Sequence, residues 1–407
     1  MLRFQMSFAP QIVFWSCLAL TFYTYLLYPV CIWLLARWFP RVAAAGETAV
    51  ADLPEVTLLV AAYNEEDVIE RKILNSLNLD YPRDRLHVVI GSDGSTDATA
   101  EIALRYADRG VRLLQYPWRR GKAAVLNSAI AETGGEILVL SDANTEYEPG
   151  SLRKLVRWFA DPGVNAVCGR LVLTDPAHGR NVDGLYWRYE TFLKKCEGRL
   201  GALLGANGAI YALRRSVHVP IPGNTIVDDF VIPLLSKLRH GGRIVYDPAA
   251  VASEETPATI RGEFRRRVRI GTGAYQSLRL LWRLLSPGYG WTALAFFSHK
   301  LLRWLVPFFL LGMVVANLLL LNSTFYRVLL CGQLALYAVA VAGMYVRGTG
   351  LRAKLARAAS MFVGMNAALL LGFCRWLATR QTGTWQKTAR DVQPLETASL
   401  PEARAGA

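Results

Sequence analysis

The chain of 407 residues has few cysteines, and no arrangement of them defines a fold. None of the six cysteines forms a pair with the spacing of a metal site or of a disulfide framework. Four lie in apolar segments, and Cys168 and Cys196 stand alone in the charged middle of the chain. The sequence therefore excludes a disulfide-rich or zinc-stabilised domain, and we expect reduced thiols that fill apolar space.

Two common nucleotide-binding motifs are also missing. No Gly-X-X-X-X-Gly-Lys-Ser/Thr or Gly-X-Gly-X-X-Gly sequence follows an apolar run, which argues against a phosphate-loop ATPase or a dinucleotide enzyme. Acidic residues are scarce, with 32 Asp and Glu against 46 Lys and Arg, so the formal net charge is +14. The basic residues do not alternate with aromatic residues along a predicted face, and we expect no nucleic-acid partner.

Long apolar runs lie at both ends of the chain, which is 53% hydrophobic. Residues 11–36 carry no charge, and a helix of that length crosses the ~30 Å hydrocarbon core of a membrane. The run is rich in aromatic residues and lacks a clear basic lead-in, so it predicts a retained anchor and not a cleaved signal peptide. Three further candidate spans are Leu305 to Leu321, Val328 to Val346 and Ala358 to Cys374.

Basic residues beside the first and second runs place the middle of the chain in the cytoplasm, by the positive-inside tendency. Basic residues flank the last run on both sides. Either the tail lies outside, or that run is re-entrant or interfacial, and we favour a cytoplasmic tail. The expected organisation is an anchor at 1–40, a cytoplasmic domain at 41–275, an interfacial amphipathic segment at 276–294, two or three spans at 295–379 and a tail at 380–407.

Five short apolar runs in the middle of the chain predict β-strands, at 56–63, 86–93, 111–116, 137–142 and 165–173. Segments of helical length and mixed charge separate them, which indicates crossover units and an α/β fold with a mainly parallel sheet. The runs are rich in Val, Ile and Leu without clean alternation, as in strands that are buried on both faces.

Polar side chains follow three of these strands: Tyr63, Asn64 and Glu65 after the first, Asp93 after the second, and Asp142 and Asn144 after the fourth. Open parallel sheets bind ligands at the carboxyl ends of their strands, so this edge is the predicted nucleotide site. Taken alone, Asp142-Ala143-Asn144 is also typical of a turn.

Seven short sequences occur in the order found in membrane-embedded family 2 glycosyltransferases: AAYNEE, GSDGSTDAT, RGKAAVLNSAI, SDANT, GANGAIYALRR, VDDF and RRVRI. The chain resembles the group that includes synthases of poly-N-acetylglucosamine, chitin oligosaccharide, hyaluronan and cellulose, together with lipid glucosyltransferases. The resemblance implies a GT-A domain between N- and C-terminal transmembrane helices. It also implies inverting hexosyl transfer from a UDP-sugar, either UDP-GlcNAc or UDP-glucose, with a Mg²⁺ or Mn²⁺ ion on the diphosphate.

The resemblance assigns roles to single residues. It gives donor contacts to Tyr63, Glu65, Asp93 and Lys122, and the loop beside the acceptor to Asn207 and Gly208. Asp142 matches the first acid of the metal-binding motif, and Asn144 stands where the second acid would be. An amide oxygen ligates a hard cation but brings no charge, so this departure weakens the expected metal site.

Asp229 matches the catalytic base of the family, with Asp228 as its neighbour. A like charge so close raises the pKa of one of the two. Both acids also suit the first turn of a helix, and that role is compatible with catalysis.

Arg266 and Arg269 correspond to a basic motif of the family and share a helical face, where they could meet diphosphate oxygens. Ile270 replaces the tryptophan of that motif. Trp385 resembles a tail motif of the poly-N-acetylglucosamine group, although a tryptophan near a membrane also serves as an interface anchor.

The expected function is sugar transfer to a growing polysaccharide or a lipid-linked acceptor at the bacterial inner membrane, by a multi-pass protein with a cytoplasmic catalytic domain. The alternatives are a lipid glycosyltransferase of ceramide or hopanoid type, and a non-catalytic nucleotide-sensing subunit of a polysaccharide export system. Three or four spans are few for a sealed channel, so a homo-oligomer or an export partner is a further expectation.

Overall fold

The structure, a computed structural model, describes residues 2–42, 53–174, 184–255, 260–346, 348, 350–379 and 383. Eight strands form one sheet within these residues: β1 (Val56–Ala62), β2 (Leu86–Asp93), β3 (Val111–Tyr116), β4 (Ile137–Asp142), β5 (Thr145–Tyr147), β6 (Val164–Thr174), β7 (Tyr211–Arg214) and β8 (Arg243–Glu255). Their order across the sheet is β3-β2-β1-β4-β7-β6-β8-β5.

Four of the strand pairings in the described sheet are parallel and three are antiparallel. The parallel part runs from β3 through β2 and β1 to β4, as the alternation of strands and helices predicts. All seven residues of β1 are buried, because β1 lies between two parallel neighbours and helices cover both faces of the sheet. The five strands predicted from sequence are confirmed.

The remaining strands bring distant parts of the chain to the end of β4. The short strand β5 starts three residues after β4 ends, yet it pairs with β8 at the far end of the strand order. The sheet must therefore curl until this edge returns to the carboxyl end of β4. The turn between β4 and β5, which contains Ala143 and Asn144, lies where the two edges meet.

The helices of the described residues are α1 (Leu2–Phe22), α2 (Tyr28–Trp38), α3 (Glu66–Leu77), α4 (Thr99–Leu104), α5 (Lys122–Glu132), α6 (Ser151–Val156), α7 (Leu185–Arg199), α8 (Asp228–His240), α9 (Ile260–Leu281), α10 (Trp291–Ala295), α11 (Leu302–Leu319), α12 (Thr324–Gly343) and α13 (Leu351–Ala378). Two π-helical segments, Tyr23–Leu27 and Phe296–Leu301, continue the helices on either side. Short 3₁₀ turns are Arg83–Arg85, Ala107–Arg109, Arg157–Ala160, Arg215–Val217, Trp282–Leu285 and Pro287–Tyr289.

Four helical segments among the described residues are long and apolar enough to cross a membrane: Phe8–Trp38, Trp291–Leu319, Thr324–Gly343 and Leu351–Ala378. They match the four apolar runs of the sequence. The last of them, α13, packs closely against α9 of the central domain. A Cβ on Gly372 would lie only 2.8 Å from the backbone nitrogen of Thr272, so the two helix backbones are in direct contact.

A buried polar cluster joins the central domain to the apolar helices. Glu197 of α7 accepts hydrogen bonds from the Tyr28 hydroxyl, at 2.9 Å, and from His299 Nδ1, at 2.6 Å. Glu190, about two turns earlier on the same face of α7, pairs with Arg303 of α11. Both carboxylates are buried, and each is bonded to a side chain from an apolar helix. The helix α7 is therefore fixed to the apolar bundle.

Candidate active site

A cavity of about 260 Å³ opens at the carboxyl ends of β1 and β4. Ten of the residues singled out from sequence line it: Glu65, Lys122, Asp142, Asn144, Asn207, Gly208, Asp228, Asp229, Arg266 and Arg269. They come from parts of the chain that are as much as two hundred residues apart. The topological position is where open α/β sheets bind ligands.

Asp142, the last residue of β4, is paired with Lys122 at the start of α5. The Lys122 ammonium lies 2.7 Å from Asp142 Oδ1 and 3.3 Å from Asp228 Oδ2. Burial opposes the charge of Asp142, but the Lys122 ammonium outweighs this effect and holds the pKa of the carboxyl below its usual value. Asp142 is therefore ionised and faces the cavity as a hard oxygen ligand.

Asp228 and Asp229 occupy the first turn of α8, where the helix dipole favours negative charge. Burial, reinforced by the charges of Asp229 and Asp142, raises the pKa of Asp228 to about 6, although Lys122 opposes the shift. Asp228 Oδ2 is buried, and the described group beside it is the Lys122 ammonium at 3.3 Å. The expectation that one acid of this pair has a raised pKa therefore applies to Asp228.

The loop at 206–210 places Asp229 at the cavity. The Gly208 amide donates to Asp229 Oδ2 at 3.0 Å, and the Ala206 amide donates to the Asp229 carbonyl at 2.9 Å. Asn207 is fixed by the Lys194 ammonium and by its own bond to the Gly169 carbonyl. The Asp229 carboxylate thus has a set orientation beside the acceptor loop that the sequence predicts.

A group of hydroxyls ties this loop to the turn that carries Asp142. The Ala209 carbonyl accepts from Ser141 Oγ at 3.1 Å, Thr145 Oγ1 at 3.3 Å and the Tyr147 hydroxyl at 3.1 Å. Lys72, which is buried, donates to Ser141 Oγ at 2.8 Å and to the Thr145 carbonyl at 2.9 Å. These bonds hold both sides of the cavity in one rigid unit.

Arg266 and Arg269 lie on one face of α9 and extend into the same cavity, as their spacing predicts. Burial and the neighbouring Arg266 lower the pKa of the Arg269 guanidinium. Two cations that are partly desolvated together favour an anionic ligand. A diphosphate, with which each arginine can form paired hydrogen bonds, fits this wall of the cavity.

Asn144 bonds to a residue that the sequence did not suggest. Its Nδ2 donates to Glu254 Oε1 of β8 at 2.9 Å, and Glu254 also lines the cavity. No cage of three His, Cys, Asp or Glu side chains forms among the described residues. The oxygen donors of Asp142 and Asn144 fit Mg²⁺ or Mn²⁺, ions that take only one or two protein ligands when phosphate and water complete the shell.

Two predicted donor residues lie beyond the end of this cavity. Asp93 is fully buried, and its two oxygens accept from the amides of Arg120, at 2.6 Å, and Gly121, at 2.9 Å. The Tyr63 ring lies 3.9 Å below the guanidinium carbon of Arg119. Asp93 thus shapes the segment that precedes Lys122. The contacts of Tyr63 and Asp93 with a base or a ribose remain predictions.

Trp385 lies outside the described residues. Gly383, two residues before Trp385, lines the cavity. It also lies against Gly121: a Cβ added to Gly121 would be only 2.9 Å from the Gly383 carbonyl oxygen. Gly383 therefore lies on the side of the protein where the cavity opens. Sequence reasoning missed this contact, together with Trp187 and Glu254, because none of these residues belongs to a local motif.

A second cavity, of about 200 Å³, adjoins the first and shares Trp187, Arg266 and Ile270 with it. Its remaining wall combines cations with apolar side chains of the bundle, namely Arg267, Lys300, Arg303, Trp304, Met365 and Leu369. The space therefore connects the catalytic cavity with helices that are apolar enough to lie in a membrane.

Residues 57–218 match the family model for glycosyl transferase family 2. The β-monoglucosyldiacylglycerol synthase of Synechocystis is 30% identical over 283 residues, which are 64% of this chain and 57% of that protein. The poly-β-1,6-N-acetyl-D-glucosamine synthase of Staphylococcus aureus is 27% identical over 242 residues, which are 56% of this chain and 57% of that protein. The chain thus spans little more than half the length of these curated relatives.

The fold is also that of a solved enzyme. The mannosyltransferase PcManGT of Pyrobaculum calidifontis, in complex with GDP-Man and Mn²⁺, has a TM-score of 0.69 and 24% sequence identity. The match covers 90% of this chain and 99% of that one. Residues 57–218 thus match the glycosyl transferase family 2 model, and the chain has a GT-A fold, as the sequence predicts.

Proposed function

We propose that the chain is an inverting glycosyltransferase that moves a hexosyl group from a UDP-sugar, UDP-GlcNAc or UDP-glucose, to a polysaccharide or lipid acceptor at the bacterial inner membrane. The observation that carries the proposal is the position of Asp229. Its oriented carboxylate lies in one cavity with the cationic wall of Arg266 and Arg269 and with Asp142. The proposed base, the cations for the leaving group and the acceptor loop thus line one cavity, so a single bound sugar could contact all three.

The chemistry assigned to these residues balances in one displacement. Asp229 takes the proton of the acceptor hydroxyl as its oxygen attacks the anomeric carbon, and the bond from that carbon to the β-phosphate oxygen breaks. UDP leaves with the bonding electrons, and Arg266 and Arg269 stabilise the charge that develops on it. Because burial raises the pKa of Asp228 to about 6, Asp228 ionises late and repels the charge of Asp229 less at mildly acidic pH.

The Asp142 carboxylate and the Asn144 amide oxygen would hold the metal ion. When bound, Mg²⁺ or Mn²⁺ offsets the negative charge that grows on the diphosphate. The solved enzyme with the similar fold is in complex with GDP-Man and Mn²⁺, which supports a divalent cation here as well.

The apolar helices and the position of Gly383 support the proposed membrane placement. An anchor at 1–40, a cytoplasmic domain at 41–275 and spans within 295–379 fit the four apolar segments. Gly383 lies at the catalytic cavity, which supports a tail on the cytoplasmic side and an α13 that lies along the membrane surface. The segment at 276–294 would continue this interfacial layer.

A lipid glycosyltransferase is the second candidate function, and the second cavity favours it. An acceptor that reaches Asp229 past Trp304, Met365 and Leu369 would come from the bilayer and keep its apolar part there. One of the relatives, the β-monoglucosyldiacylglycerol synthase, is named for a lipid product. A polymerase, by contrast, would need an oligomer or an export partner to complete a channel.

The test is sugar transfer by the purified full chain in lipid nanodiscs with Mn²⁺ and radiolabelled UDP-GlcNAc or UDP-glucose. We expect UDP release together with a labelled product, and its extraction into organic solvent or its retention as polymer decides between the two acceptor classes. Asp229→Asn should lower turnover by about 10²- to 10⁴-fold while UDP binding persists.

Asp161→Asn is the matched control, because Asp161 is a surface carboxylate paired with Arg243 far from the cavity. It should leave turnover unchanged. UDP binding without any turnover in the wild-type chain would contradict the proposal and identify a nucleotide-sensing subunit instead.

A further inference from the structure

The Asp-Ala-Asn sequence at 142–144 brings one negative charge to a site where a motif with two acids would bring two. A divalent cation with a diphosphate is bound more tightly as carboxylates are added around it. Among the described residues that line the cavity near Asn144, the carboxylate in hydrogen-bond contact with its side chain belongs to Glu254.

The sheet fixes Glu254 in this position. Glu254 pairs with Thr145 of β5 on one side and with Leu173 of β6 on the other, so its backbone is held between two strands. Asn144 directly precedes Thr145 and therefore lies beside Glu254 by strand register. Glu254, 110 positions later in the chain, is thus held beside the turn by strand pairing and by its hydrogen bond to Asn144.

The hydrogen bond also sets the direction of the Asn144 side chain. Because its Nδ2 donates to Glu254 Oε1 at 2.9 Å, its amide oxygen is the end left for the cavity. A free asparagine could present either end to a cation. Outer carboxylates that orient ligands in this way commonly raise metal affinity.

We propose that Glu254 is a positioning residue of the metal site, which supplies the second negative charge that Asn144 lacks and turns the Asn144 amide oxygen toward the cation. The inference rests on the proposed function, since it takes Asp142 and Asn144 as the residues that hold Mg²⁺ or Mn²⁺. Glu254 thus carries the negative charge that an acid at position 144 would otherwise carry.

The test is a charge exchange, read out as Mn²⁺ binding. Free Mn²⁺ is measured by electron paramagnetic resonance in titrations of the purified full chain with saturating UDP, without any sugar transfer. Glu254→Gln keeps the shape of the side chain and should raise the Mn²⁺ Kd by about tenfold or more. Adding Asn144→Asp to that variant returns the charge to the turn and should bring the Kd to within about threefold of wild type.

Glu255→Gln is the matched control, because Glu255 is the next residue of the same strand and pairs with Arg71. Its Kd should equal that of wild type. The inference is overturned if Glu254→Gln leaves the Kd unchanged, or if the double variant binds as weakly as Glu254→Gln alone. The latter result would mean that Glu254 acts through the charge of Arg266, whose pKa the Glu254 carboxylate raises against the effect of burial. A wild-type chain that binds no Mn²⁺ overturns the proposed metal dependence as well, so the two failures are distinguishable.

Discussion

Gly208 lies among three charged side chains and has no side chain of its own. A Cβ at this position would be 3.3 Å from Asp142 Oδ2, 3.5 Å from Asp229 Oδ2 and 3.6 Å from Lys122 Nζ. The backbone at Gly208 does not have a positive φ, so the fold tolerates alanine there. The glycine is therefore required for the space between these groups, in which a sugar and its phosphates would lie.

Gly208→Ala should accordingly lower turnover without loss of stability. The added methyl group displaces the reacting groups by a fraction of an ångström, and small misplacements cost up to about 10²-fold in rate. UDP release and the melting temperature are measured on the same preparation. The control is Gly134→Ala, where the Cβ would meet nothing within 4 Å. Equal turnover in the two variants would contradict this prediction.

At the scale of elements, the buried polar cluster connects α7 both to the apolar helices and, through the chain that follows α7, to the acceptor loop. The carboxyl end of α7 leads toward the acceptor loop through Leu200 and Gly201, and Glu197 in its last turn is bonded to α2 and to the π-helical segment that precedes α11. Lys194 of the same helix holds Asn207. A change in the apolar bundle thus reaches the acceptor loop through one rigid helix.

Glu197→Ala should strongly destabilise the protein. The substitution leaves the Tyr28 hydroxyl and the His299 ring buried without their acceptor, and breaking a buried pair costs about 3–5 kcal/mol. We expect a melting temperature lower by about 5 °C or more, measured by thermal unfolding in detergent.

Glu101→Ala provides the comparison, because Glu101 is an exposed carboxylate that pairs with the exposed Arg105 just after α4, and exposed ion pairs contribute little to stability. It should change the melting temperature by little. A similar small effect of Glu197→Ala would show that the cluster does not hold the bundle to the domain.

The elements also show how far the sequence alone leads. The strands β1 to β4 are local runs of buried residues, so their pattern suffices to predict them and, with them, the polar residues at their ends. The strands β5 and β7 have only three and four residues, too few for a pattern. In β8 the pairing with β6 is interrupted between Asp247 and Val251, and Pro248 lies in the interruption.

Glu254 could not be predicted for the same reason. Its place beside Asn144 depends on the antiparallel pairing of β5 with β8, and no local property of the sequence specifies which strands will pair. Asp142, Lys122, Asp228 and Asp229 were accessible from sequence because each belongs to a short motif at a strand end or a helix start. Contacts that depend on the pairing of distant strands cannot be predicted from a local motif.

At the scale of the whole molecule, segments that are far apart in the chain form the candidate catalytic cavity. Its lining begins at Ala61 and ends at Gly383, and one wall is α9, which carries Arg266 and Arg269. On its other side α9 touches α13 backbone to backbone, with Gly372 against Thr272 and Gly271. The arginines proposed to face the leaving group therefore lie on a helix that packs against the apolar bundle.

This contact between α9 and α13 makes the thickness of the surrounding bilayer a variable of catalysis. In a bilayer that is too thick or too thin, α11 and α12 would tilt or shift against α13, which packs on both, and the glycine contact between α13 and α9 would transmit the movement. Reconstitution in phosphatidylcholines of increasing acyl-chain length should give turnover with a maximum at one thickness, while the UDP affinity, which also depends on the rigid sheet edge, changes less. Turnover that is independent of chain length would contradict this view. By this prediction, the rate of the enzyme follows the physical state of the membrane.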